Sequence, residues 1–301
     1  MNTFSLKMLA LILMVVDHIG YYFVGLPEWL RLIGRISYPL FLFCMAWGYH
    51  YTKNRKLYLL RLYLMSLFMT ALRYFVDKYF VTASGYGNHN IFVPLLLVGV
   101  LISTIEMFAR DRKKGLLMLA AIFGVQLLYY ALPPAIPFLR TLSGDLLTGI
   151  IPNLALNEYG FSFIVLGVLM YFLRDKKDLL CAVYVVFCIS QYSMEMLQYG
   201  NVCQSFMILA LPFILLYNKK KGPGLKYFFY FFYPAHTFLL FYLANFVFLS
   251  SVFYAVTLTL YPIEYTHFTV DFGNCQKRSI VFFAHENSSE RARTLCDEIL
   301  Y

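Results

Sequence analysis

Apolar residues run through this chain in long blocks separated by short polar or basic interruptions. Residues 6–25, 30–51, 57–76, 91–109, 115–132, 159–173, 178–194, 204–217 and 226–248 are each predominantly apolar. At ~1.5 Å rise per residue, a helix of about 20 residues crosses a hydrocarbon core ~30 Å thick, so these blocks predict transmembrane helices. A tenth apolar stretch, 246–263, follows without an obvious polar loop. Residues 137–156 are helical in length but contain Arg140, Gly144, Asp145, Gly149 and Pro152. Together the pattern predicts an all-α polytopic integral membrane protein, with about nine to ten transmembrane helices, a short re-entrant segment and a small polar C-terminal tail. The transmembrane domain covers 1–263 and the tail 264–301.

Composition agrees and excludes a soluble globular domain: hydrophobic residues make up 60% of the chain and charged residues 14%, with mean hydropathy +0.65. The net charge of +9 is not a nucleic-acid-binding face, because the basic residues fall in four clusters between apolar blocks. These are Lys53, Arg55, Lys56; Arg110, Arg112, Lys113, Lys114; Arg174, Lys176, Lys177; and Lys219, Lys220, Lys221, Lys226. Basic loops of membrane proteins favour the cytoplasm. All four lie there if an even number of crossings separates each successive pair, which holds with a cytoplasmic N-terminus. Counting 137–156 as a full crossing would break that parity, so the segment is read as re-entrant from the outer side, buried in protein or lining a cavity. The first block is too long for a signal-peptide core and is read as a retained helix. The six cysteines show no CxxC or metal-ligand spacing. In the tail, 279–284 reads as a strand, and Asn287 with Glu290 as a capping box opening a helix through Leu300.

Against this background Asp17 and His18, adjacent inside the first apolar block, mark a candidate site, because an unpartnered ionisable group in the bilayer costs several kcal/mol. His18 lies ~10 Å below the outer surface and Arg35, on the second helix, at a similar depth of ~8 Å. Gly34 and Pro39 allow close packing and a kink between them, and Ser37 and Tyr38 add hydrogen-bonding groups. The same topology gathers Asn88, His89, Asn90, Glu158, Tyr159 and Glu195 toward the outer side. His236 follows Tyr233 and Pro234 near the midplane, in a helix expected to break locally at the proline. Each has a structural alternative. Asp17 and His18 can fix helix packing, Arg35 can simply neutralise Asp17, His236 can be a packing histidine, and His89 reads as a residue of the mouth. No two histidines stand at i, i+4, and no metal is predicted.

Several blocks resemble the TraX family, integral-membrane proteins associated with N-terminal acetylation of conjugative pilin, and through it the membrane-embedded acyltransferases. They are LKMLALILMVVDHIG (6–20), LRLIGRISYPLFLFCMAWGYHYT (30–52), NIFVPLLLVG (90–99), EYG (158–160), LPFILLYNKKKG (211–222) and KYFFYFFYPAH (226–236). The combination of DHIG with GRxSYPLF, and of YNxKxG with FYPxH, carries the specificity. Membrane O-acyltransferases of that superfamily carry an arginine, ten residues and then a histidine on their first helix; Lys7 and His18 have this spacing, with lysine replacing the arginine.

The resemblance implies an acyl-CoA-dependent acyltransferase that takes acetyl from cytoplasmic acetyl-CoA to an amine or hydroxyl of an exported, pilin-like protein or an envelope glycan. His18 would be the general base, with Asp17, Arg35 and His236 beside it. Asp17 would either raise the basicity of His18 or pair with Arg35, since neighbours in a helix point ~100° apart. Lys7, His50, Lys53, Arg55, Arg61, Lys219 and Lys220 would meet the donor, unless these basic loops serve topology alone. Asn90, Glu158, Tyr159 and Tyr233 would face the acceptor. Two other classes stay open: a proton-coupled transporter, and a non-catalytic subunit of a conjugation or secretion apparatus. No convincing internal repeat supports the transporter.

Overall fold

Polar side chains cap the helices where the chain enters the apolar layer, and the elements follow from those starts. In a computed structural model that describes residues 1–82, 85–199, 203–224 and 226–248, helix α1 spans Thr3–Tyr22 and Asn2 caps it through Ser5 N at 2.8 Å. Asn54 caps α4 (Arg55–Tyr79) and Asp111 caps α6 (Arg112–Ala135) in the same way, each side-chain oxygen taking one of the N–H groups that a helix start leaves unpaired. Between them lie α2 (Trp29–Gly34), α3 (Ser37–Tyr51) and α5 (Phe92–Arg110). After α6 come the short α7 (Pro137–Arg140) and α8 (Gly144–Ile150), then α9 (Gly160–Phe172) and α10 (Lys177–Tyr199). A tight 3-10 stretch, Gln204–Ala210, leads into α11 (Leu211–Leu215), and α12 (Lys226–Tyr242) ends in a π turn, Leu243–Phe248. Seven helical paths are long and apolar enough to cross a membrane, and the described residues contain no strand. The apolar stretch beyond residue 248 and the tail 264–301, with its expected strand and helix, lie outside the described residues, as do His267 and His285.

Two expected spans are shorter than a bilayer. Helix α9 has 13 residues, ~20 Å of helix, and begins at mid-depth, where Tyr159 stacks on Tyr38 of α3 with ring centroids 3.4 Å apart. The re-entrant reading of 137–156 and the full crossing expected at 159–173 therefore merge into one crossing, broken in the middle: α8 enters, a loop turns over, and α9 leaves. A non-helical backbone at that depth must find its hydrogen bonds in the protein, and it does. Ser66 Oγ donates to Gly149 O at 2.9 Å and Tyr63 Oη to Ile150 O at 2.9 Å. Gln126, midway along α6, donates to Pro152 O and accepts from Leu154 N. Gly149 is required here because a Cβ would overlap the Thr70 hydroxyl. The second short span, 204–215, starts where Glu195 accepts the backbone N–H groups of Cys203, Gln204 and Ser205.

The expected break at Pro234 is absent: α12 runs through it. Pro234 withdraws one backbone donor, the one that would face Tyr230 O, and one turn on Thr237 Oγ1 donates back to Tyr233 O and Pro234 O at 3.1 and 3.0 Å. The break falls instead between α2 and α3, where the N–H groups of Arg35 and Ile36 turn to i−3 carbonyls.

The N-terminus and the basic clusters share one end of the bundle. Thr3 N donates to Lys220 O and Asn218 N to Met1 O. Arg55 contacts Glu106 and Tyr171, and Lys219 bonds Asp175 at 2.8 Å. That hydrogen bond holds the Asp175 carboxyl below its ordinary range.

Candidate active site

The ~100° step between neighbours on a helix sends Asp17 and His18 to different partners. Asp17 faces the α2–α3 path: Arg31 Nη1 donates to its carboxylate at 2.6 Å and to its backbone carbonyl at 3.1 Å. Arg35 stands 3.5 Å from the other oxygen. Gly34 makes the approach possible, because a Cβ there would collide with the Asp17 side chain. One carboxylate thus meets two guanidinium groups, a local surplus of one positive charge. Gln204 Oε1, at the start of the second short span, accepts from Arg35 at 3.4 Å.

His18 faces α12, and its Nδ1 lies 2.8 Å from His236 Nε2. His236 Nδ1 is 2.9 Å from the Phe232 carbonyl oxygen, which can only accept. For a neutral pair the proton positions follow: His236 donates from Nδ1, so its Nε2 accepts, so His18 donates from Nδ1, and the lone pair of His18 is left on Nε2. The rings lie within 13° of parallel and are both more than nine-tenths buried. His89 packs edge-on to His18 with centroids 4.9 Å apart and is equally buried, so it is no mouth residue. The loop before α5 folds inward to bring it there.

Met14, Asp17, His18, Gly34, Arg35, Ser37, Tyr38, Ile91, Tyr159, Gln204 and Tyr233 surround a cavity of about 30 Å³, room for about two waters. Arg35 Nε and the Tyr38 hydroxyl are buried without a hydrogen-bond partner in this wall. A smaller polar cavity, about 10 Å³, lies beyond His89, between Thr70, Arg73, Asn88, Asn90 and Asp145. Asn90 belongs there, donating to Ser66 O at 3.0 Å and lying 3.3 Å from Thr70 Oγ1. Glu158 lies behind Tyr159 outside both walls, with Oε2 shielded and unbonded.

The structure therefore gathers His18, Asp17, Arg35, His236, Tyr159 and Tyr233 around one centre and sets Asn90 and Glu158 at its margin. The expected donor residues are scattered. Arg55 is clamped by Glu106 and the Tyr171 hydroxyl, His50 rests edge-on to Tyr51, and Lys7 lies over Phe229 at 5.6 Å. Lys53 and Lys220 are exposed, Arg61 is half-buried, and exposed Lys219 sits 5.5 Å above Trp47. Sequence reasoning missed Arg31 and Gln204, and set His89 at the mouth. Arg31 had a legible signal, standing four residues before Arg35 on the same helical face.

A family model described as TraX protein matches residues 3–136 and 145–244, which include every residue around the cavity. The chain is also similar to the "Probable fimbrial assembly protein FimC, serogroup H1" of Dichelobacter nodosus, 35% identical over 65 residues. That stretch covers 20% of this chain and 27% of the relative, so the chain spans about a quarter of the length of that relative. No solved structure matches. With the matched segments carrying both halves of the His18–His236 pair and all of the Asp17–Arg31–Arg35 cluster, the chain belongs to the TraX family.

Proposed function

We propose that this protein is a membrane-embedded acyltransferase that moves an acetyl group from acetyl-CoA to an amine or hydroxyl of an exported pilin-like protein or an envelope glycan. The observation that carries this reading is the directed chain from Phe232 O through His236 to His18, which leaves one imidazole nitrogen free beside a cavity bearing a surplus guanidinium. Acyl transfer needs a base for the acceptor and a cation for the oxyanion. The acceptor N–H or O–H gives its proton to His18 Nε2 as its heteroatom bonds to the thioester carbonyl carbon. The carbonyl oxygen becomes the oxyanion, and its single negative charge matches the excess positive charge at Arg35. Collapse breaks the C–S bond, and the thiolate recovers the proton from His18. His236 acts as a positioning residue, holding the tautomer. With the basic end toward the cytoplasm of a bacterial inner membrane, the donor arrives from that end and the acceptor from the other. A pilus-related acceptor is in keeping with the relative named for fimbrial assembly.

The test is transfer from radiolabelled acetyl-CoA, by protein in lipid nanodiscs, to a pilin-like peptide with a free N-terminus or to an envelope glycan. Transfer that His18→Ala abolishes supports the reading; equal transfer by both proteins overturns it. A proton-coupled transporter is the second reading, favoured by polar cavities on both sides of the histidine cluster. Proton flux that needs His18, without acetyl transfer, would select it.

A further inference from the structure

At the basic end, Phe43, Trp47, Arg174, Lys177, Tyr217 and Lys219 form most of the wall of a third pocket, away from the histidine centre. Its charges are unbalanced: Arg174, Lys177 and Lys219 bring three positive charges, and Asp175, bonded to Lys219 at 2.8 Å and 3.6 Å from Arg174 Nε, returns one. Two positive charges remain. Its hydrogen-bond donors are also in excess. The indole N–H of Trp47, a side chain only 3% exposed, is buried with no partner, and Arg174 Nε makes no hydrogen bond. A buried donor left unpaired costs about 1–3 kcal/mol. Both orphans are donors, so the missing group is an acceptor. The backbone adds a second sign, since Lys219 is the one non-glycine residue at positive φ (61°) among the described residues, a conformation that costs energy and tends to mark functional sites. The Lys219 ammonium lies 5.5 Å above the Trp47 ring.

We propose that this pocket binds a phosphomonoester, with Trp47 Nε1, Arg174, Lys177 and Lys219 as its ligands. A phosphomonoester carries about −1.5 to −2 charge at neutral pH and three acceptor oxygens, which match two uncompensated cations and two orphan donors. A phosphodiester, at −1, leaves one cation unanswered. Two molecules available at a membrane surface carry this group: the 3′-phosphate of a CoA donor, and the headgroup of phosphatidic acid. The CoA arm rests on the acyltransferase reading; the pocket's chemistry does not.

Trp29 and Trp47 are the only tryptophans of the chain, so Trp29→Phe makes the fluorescence report Trp47 alone. Full-length Trp29→Phe protein in phosphatidylcholine nanodiscs is titrated with CoA and with 3′-dephospho-CoA, and is compared with the same protein in nanodiscs containing phosphatidic acid or phosphatidylglycerol. The expected result is a saturable change with CoA that weakens about tenfold without the 3′-phosphate, or with Arg174→Gln or Lys219→Gln, as the loss of a charged hydrogen bond implies. Lys113→Gln, at the same end but outside the pocket, leaves it unchanged. A response to phosphatidic acid but not to phosphatidylglycerol or CoA assigns the lipid as the source and supports the pocket equally. No response to either phosphomonoester, or equal weakening by Lys113→Gln, overturns the proposal. Acetyl transfer whose KM ignores Lys177→Gln and Lys219→Gln would overturn the CoA assignment and leave the acyltransferase standing. A Trp47 response without any acetyl transfer would overturn the acyltransferase and leave the phosphomonoester pocket standing.

Discussion

At the basic end Arg55 meets Glu106 one for one, and Tyr171 closes the set by donating to Glu106 at 2.5 Å while accepting from Arg55 at 2.9 Å. Halfway through the bundle Asp17 meets both Arg31 and Arg35, and the wall around them holds polar atoms with no partner. The two clusters use the same side-chain chemistry. The first joins α4, α5 and α9 and leaves nothing for a ligand to satisfy. The second joins α1 to the α2–α3 path and keeps a charge and several hydrogen-bonding positions open. Matched charges serve architecture; in the proposed acyltransferase, a surplus held in place by packing would meet the charge that develops during transfer with no reorganisation to supply.

The largest effect that tests this contrast is on transfer itself. His18→Ala should lower kcat by about 10²–10⁴-fold, the usual contribution of a general base, while Arg55→Gln leaves kcat within a factor of about two; steady-state transfer rates compare them. Next is Asp17→Ala, which leaves two buried guanidinium groups facing each other and should cost about 3–5 kcal/mol, read as a lower thermal transition in nanodiscs. A change below about 1 kcal/mol would mean the surplus is solvated and the contrast is false. His236→Phe removes the acceptor for His18 Nδ1 and should reduce kcat about tenfold with KM unchanged, the worth of one modest hydrogen bond. Partial recovery by His236→Gln, whose amide oxygen can accept, separates positioning from packing. Smallest is the double change Arg55→Gln with Glu106→Gln, expected to shift stability by about 1 kcal/mol or less because the pair is partly exposed.

Much of this arrangement is legible in the sequence because hydropathy and helical period are local. Block lengths give the crossings, and the even spacing of basic clusters agrees with their meeting at one end. The ~100° step already divides Asp17 from His18. What escaped depends on distant contacts. His89 reads as a loop residue until the segment before α5 is seen folded against α1 and α12. The shortness of the block at 159–173 is legible, but that it is half of a broken crossing is not, and only the hydrogen bonds from Tyr63, Ser66 and Gln126 show the backbone before it turning inside the protein. Pro234 misled in the opposite direction, since α12 continues through it with the loss of a single backbone donor.

The bond between His18 and His236 joins residues 218 positions apart. A chain is made and inserted from its N-terminus, so α1 enters the bilayer with its base facing no partner and waits while seven further passes are laid down. Only α12 supplies the second imidazole. A translation product that stops before residue 236 therefore lacks the partner of the His18 imidazole, and in the proposed acyltransferase the base is aligned only once α12 is in place. The pair thus doubles as a record that synthesis has reached α12.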